Sequence, residues 1–172
     1  RPVHFQNVGV CVDGQVDVFW KGVLKRAGMA DVDMEVESFV DRVRLRAYFN
    51  SAAFALNPNV GLCGRWFKLF EELVTDAEFQ RTACQDERHR VFLHQATLSV
   101  LVASETGGQG LRLLTPDYIY PYNLHADVPV GRRAVSLDDL VCLYYEGRSL
   151  KPGDITDIEV PEPYRSWLAE LN

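Results

Sequence analysis

Apolar residues along this chain recur at helical spacing in some stretches and alternate or cluster in shorter ones, so the pattern predicts interleaved helices and strands. Val3, Phe5, Val8, Val10 and Val12 alternate loosely and predict a first strand, which Asp13-Gly14 breaks. Val16, Phe19, Trp20, Val23 and Leu24 follow at i, i+3, i+4, i+7 and i+8, predicting a helix that Gly28 ends. Residues 29–42 are acidic and predict a surface connection with a short strand around Glu35 to Val40. From Arg44 to Leu56 the character changes. Leu45, Ala47, Phe49 and the run Ala52 to Leu56 predict a strand entering a buried sheet position. Asn57-Pro58-Asn59 ends it, because proline lacks a donor and restricts the residue before it.

Leu62, Trp66, Leu69, Phe70, Leu73 and Val74 predict a helix with one apolar stripe. A second helical stretch runs from Ala77 to about Ala103, interrupted near Cys84 to Glu87. Gly107-Gly108-Gln109-Gly110 then reads as a helix-to-strand turn. A phosphate loop would follow a strand and open a helix, the reverse of this order. Leu111 to Leu114 predicts a short strand, Pro116 to Pro129 a loop, and Ser136 to Asp139 a capped helical turn. Leu140 to Tyr145 predicts a last strand, and Pro161 to Leu171 a short helix with Tyr164, Trp167, Leu168 and Leu171 facing inward. The sum is an α/β fold, a mixed sheet flanked by helices, in a single domain over residues 1–172.

Composition narrows the function classes. Hydrophobic residues make up 47% and aromatics 11%, which suits a packed core and excludes intrinsic disorder. A formal net charge of −6 argues against a nucleic-acid partner, whose binding rests on clustered positive charge. No apolar run approaches the ~20 residues of a membrane helix. Cys11, Cys63, Cys84 and Cys142 include no close pair of the zinc-binding kind, and they read as buried free thiols of a cytoplasmic protein. The chain opens Arg1-Pro2-Val3, the expectation being that upstream residues were removed or that it is part of something longer.

Candidate chemistry is sparse. His4, His89, His94 and His125 form no metal pair, since His89 and His94 are five apart and the i, i+4 spacing needed to share a helix face is missing. Asp86, Arg90 and His94 fall at i, i+4, i+8, with Thr97 near the same line. This ridge is a solvated face with ion pairs, or it projects His94 and Gln95 into a ligand cleft; spacing alone favours the solvated face. Asp31-Val32-Asp33 is a D-x-D triplet, but it sits in an acidic surface stretch rather than at the end of an apolar strand. Tyr118-Ile119-Tyr120-Pro121-Tyr122-Asn123-Leu124-His125 could pack as an irregular core lid or stack on a sugar or base. Both readings stay open.

Several of these segments stand in a familiar order. Tyr48 to Asn57, read as Tyr-Phe-Asn-Ser-Ala-Ala-Phe-Ala-Leu-Asn, resembles the "FNSG-hydrophobic-N" strand of glycosyltransferases with the GT-A fold, especially the glycogenin- and galactosyltransferase-like group. Leu93 to Ser99 sits where those enzymes carry a helix with a "DQ-D-x-L-N" motif, with His94 in place of the acidic residue. Leu114 to Ile119 is similar to their "L-P-x-x-Y-N" strand end, with Ile119 in place of the asparagine. The opening, Arg1 to Trp20, is similar to the middle of prokaryotic proteins of this nucleotide-sugar transferase type.

The resemblance covers residues 1–150, leaving 151–172 as a C-terminal extension, and corresponds to the acceptor-side half of a GT-A domain. It implies transfer of a sugar from a nucleotide-sugar donor to an acceptor hydroxyl. Mn²⁺ or Mg²⁺ would enter only with the donor-binding half. On this expectation Asn50, Ser51, Gln95, Tyr118, Tyr120 and Tyr122 bind substrate, and His94 is the base that takes the acceptor proton. The alternative is a non-catalytic binding or self-association module, with a homodimer formed through an exposed sheet edge.

Overall fold

The computed structural model describes residues 7–106, 110–145 and 153–170. Its contacts divide into two compact units, Arg1–Ser38 with Arg42–Leu111, and Phe39–Asp41 with Arg112–Asn172. Among the described residues, no helix is long and apolar enough to cross a membrane.

The first unit is built on helices. α1 (Val18–Arg26) begins at Asp17, whose carboxylate accepts the Trp20 backbone N–H at 2.9 Å. It ends with Lys25 and Arg26 in its last turn and Gly28 beyond, at φ +72°. Phe19, Trp20, Val23 and Leu24 are buried, as the helical spacing predicts. Two short strands follow, β1 (Glu35–Glu37) and β2 (Arg44–Arg46), paired antiparallel with Val36 opposite Leu45. The other side of β2 receives residues 10–12, through Val12 N–H to Arg44 O at 3.1 Å and Arg46 N–H to Val10 O at 2.9 Å.

α2 (Leu62–Thr75), α3 (Ala77–Ala83), α4 (Glu87–Val91) and α5 (Leu93–Thr106) complete the unit. α5 packs against both α1 and α2. Gln95 to Val100 are all buried, so α5 is enclosed all round rather than amphipathic. Its polar side chains are satisfied internally. The Thr97 hydroxyl donates to Leu93 O at 3.0 Å, and the Ser99 hydroxyl donates to Gln95 O at 2.7 Å.

Asp76 caps α3 by accepting the Phe79 N–H at 3.0 Å, and Asp86 caps α4 by accepting the Arg88 N–H at 2.9 Å. The Phe79 N–H and then Arg26 hold the Asp76 carboxyl below its ordinary value, while the Arg88 side chain and its backbone N–H hold Asp86 well below. Folded values below the unfolded ones mean this stabilisation is complete above the ordinary carboxyl value of 3.8. It is lost as pH falls from there through the folded values. The urea midpoint is therefore expected to drop on acidification below that value. Asp76→Asn and Asp86→Asn should each flatten the drop.

The second unit is mostly irregular. Its helical turns are single 3₁₀ segments at Pro116–Ile119, Tyr122–Asp127, Val130–Arg132 and Leu137–Asp139. β3 (Tyr120–Pro121) and β4 (Leu143–Tyr144) pair in parallel, and among the described residues α6 (Tyr164–Glu170) is its α-helix. Ser136 and Asp139 form the reciprocal cap expected at that turn.

The chain is α/β at this coarse level, but several elements differ from expectation. Among the described residues, two separate two-stranded sheets replace one mixed sheet. The strand beginning at Arg44 stops at Arg46, and Ala52 to Ala55 are exposed, because no neighbouring strand takes up that backbone. Residues 111–114 form no strand, with Leu113 and Leu114 exposed. The ridge Asp86–Arg90–His94 is not one helix face, since the chain breaks at Phe92, which caps α4. Tyr164 and Trp167 on α6 are exposed rather than inward. Of the thiols only Cys84 is fully buried, and burial pushes it up; Cys63 and Cys142 are exposed. The first strand's opening, the turn at 107–109 and Leu171 lie outside the described residues.

Candidate functional site

The sequence-predicted site residues are shared between the two units. In the first, β2 runs on into Tyr48 and Phe49, which meet α5 directly. The Tyr48 hydroxyl donates to Gln95 Oε1 at 2.6 Å, and the Phe49 N–H donates to Ser99 Oγ at 2.8 Å. The two segments carrying the first two motifs are thus hydrogen-bonded neighbours. Gln95 is only 6% exposed, so its amide serves this contact inside the unit.

His94, the next residue back, points about 100° away around the helix. Its Nδ1 lies 2.9 Å from Val91 O, and its own carbonyl accepts the Trp66 indole N–H at 2.8 Å. With Nδ1–H assigned as donor to Val91 O, that tautomer carries its lone pair on Nε2, the form a proton acceptor needs. Asn50 is exposed and uses its Oδ1 locally, accepting the Ala52 N–H at 2.7 Å; Ser51 is half-buried beside it.

The aromatic stretch lies in the second unit. Tyr120 is buried, its hydroxyl 2.8 Å from His125 Nδ1 and accepting the Ala134 N–H at 3.3 Å; burial pushes its phenol up. Tyr122 is buried too, and its hydroxyl joins a distant segment. It accepts the N–H groups of Thr156 at 2.7 Å and Asp157 at 3.0 Å, and donates to Asp157 Oδ2 at 3.1 Å. These two rings pack as core, whereas Tyr118 is exposed. Tyr122→Phe would strip the acceptor from two backbone donors, and should cost the second unit about 1–2 kcal/mol in a denaturant melt.

The triplet at 31–33 does not fit a divalent ion. Asp31 is committed to Arg46 at 2.8 Å and to the Val32 N–H at 2.8 Å. Among the described residues, no group of three His, Cys, Asp or Glu side chains converges as a metal site. Next to Arg46, a cavity of about 10 Å³ lined by Val10, Val16, Trp20, Leu24 and Val32 is the size of one water.

Sequence reasoning missed the outward face of α2. Phe67 is 64% exposed and Val74 45%, with Cys63 exposed alongside and Phe70 half-buried. The signal was present as two apolar rows one residue apart. Leu62, Trp66, Leu69 and Leu73 run at i, i+4, i+7, i+11, and so do Cys63, Phe67, Phe70 and Val74. Only the first row can face the core fully. Phe54, 45% exposed, stands edge-on to Trp66 of the inner row at 5.6 Å between ring centroids. No family model, no curated protein and no solved structure matches this chain.

Proposed function

We propose that this chain is a non-catalytic module that binds protein, itself included, by covering an exposed apolar surface of its first unit. The observation that carries this reading is the exposure of Cys63, Phe67 and Val74 in the second apolar row of α2, a helix whose other row already packs on the core. The hydrogen bonds of Gln95, Tyr120 and Tyr122 support it, because these polar groups are spent within their own units.

The second reading is sugar transfer by the acceptor-side half of a GT-A enzyme. The contacts of Tyr48 with Gln95 and of Phe49 with Ser99 favour it, since they join the two motif-bearing segments. On that reading His94 Nε2 takes the proton of an acceptor hydroxyl as its oxygen bonds the anomeric carbon and the nucleoside diphosphate departs. Calorimetric titration with nucleotide sugars and Mn²⁺, beside sedimentation velocity over micromolar protein, separates the two. A flat titration with concentration-dependent association is the expected result. Metal-dependent heat, or a monomer at every concentration, overturns the module.

A further inference from the structure

The partner and the surface can be named, on the strength of the binding-module reading. We propose that two copies of this chain associate through the outer row of α2, packed antiparallel about a twofold axis. Phe67 and Val74 lie seven residues apart on one face, so they form the spine of the contact. Gly64 is exposed near Phe67, and a Cβ built on it meets nothing within 4 Å, so a second helix can approach the backbone closely there.

Charge selects the partner. Lys68 and Glu71 are both exposed and flank Phe67 on the same side. The helix's other cation, Arg65, is held by Glu105. Among the described residues, Lys68 and Glu71 take no ion-pair partner. A twofold antiparallel pair lays this flank on its own image, so Lys68 of each copy meets Glu71 of the other. A parallel pair would lay it against the opposite flank, where Cys63 and Phe70 offer no charge. The surface is therefore complementary to itself in one arrangement.

Sedimentation velocity of the full chain tests this. Phe67→Asp should raise the dimer dissociation constant about tenfold or more. Lys68→Glu and Glu71→Lys should each weaken association, and the Lys68→Glu/Glu71→Lys pair should restore it. Thermal melts at protein concentrations well below the wild-type dissociation constant should match wild type, because these side chains are exposed in the single chain. Association indifferent to all four variants overturns this interface and leaves the module reading standing. Single variants that weaken association without rescue by the pair overturn the antiparallel arrangement. A wild type that never associates overturns both readings.

Discussion

Phe19→Ala is expected to remove about 3–5 kcal/mol from the stability of the first unit. Phe19 has no exposed surface and lies where four aromatic groups meet. Its ring stacks on His89 at 4.3 Å and 7°, meets Trp20 edge-on at 5.9 Å and lies 6.0 Å from Phe79. Truncation loses the transfer energy of the ring and leaves a cavity that three helices cannot close without moving. The Trp20 indole N–H also donates to Val8 O at 2.6 Å, so the same collapse would loosen the segment that pairs with β2. A domain holds roughly 5–15 kcal/mol in all, so this loss is a large share of it. Trp20 is buried and Trp66 half-buried in this unit, so tryptophan emission reports its urea midpoint. A shift under 1 kcal/mol, on the order of a surface substitution, would mean that Phe19 is not enclosed as described. The α2 interface depends on the same core, because Leu69 and Leu73 anchor the inner row within it.

Much of the first unit's helical structure was legible from apolar spacing, and in α1 spacing and caps agree. Asp17 starts α1, Gly28 follows its end, and the break predicted near Cys84 to Glu87 falls between α3 and α4. The strands were legible only in part: β1, β2 and β4 fall within predicted segments, but each is two or three residues long. Ala52 to Leu56 is as apolar as a buried strand, but apolarity states what a segment can bury and not whether a neighbour will pair with it. α5 misled in the opposite sense. Thr97 falls near the line of a polar ridge, yet its hydroxyl returns to the carbonyl four residues back and the residue is fully enclosed, as Ser99 is by the same device. The aromatic stretch at Tyr118 to His125 left two readings open for a similar reason. Whether a tyrosine stacks on a ligand or anchors a loop depends on a distant donor, here the N–H groups of Thr156 and Asp157. The outer row of α2 was written in the chain as plainly as the inner one. Its Phe70 and Val74 merge into the inner stripe, while Cys63 and Phe67 stand outside it, because the two rows are one residue out of phase.

Gly22→Ala should destabilise the first unit by roughly 2–3 kcal/mol, the upper part of the overpacking range. Helix propensity alone argues for the opposite sign, since glycine inside a helix is about 1 kcal/mol worse than alanine. Gly22 lies in the middle of α1, and its φ is not in the left-handed region, so backbone freedom does not explain the residue. Packing does. A Cβ at this position would stand 2.4 Å from Phe79 Cε2 and 2.7 Å from Cδ2, inside any real carbon–carbon contact. Phe79 is itself buried and lies against Phe19, so its ring has nowhere to turn. α1 and α3 are this close because Gly22 has no side chain, and that approach also sets where Asp76 reaches Arg26. The test is a double-mutant cycle with Phe79→Leu, followed by urea unfolding. If the ring is the obstacle, the double variant costs less than the two single changes together. Additive losses, or a stabilised Gly22→Ala variant, would place α1 and α3 farther apart and weaken the account of this core.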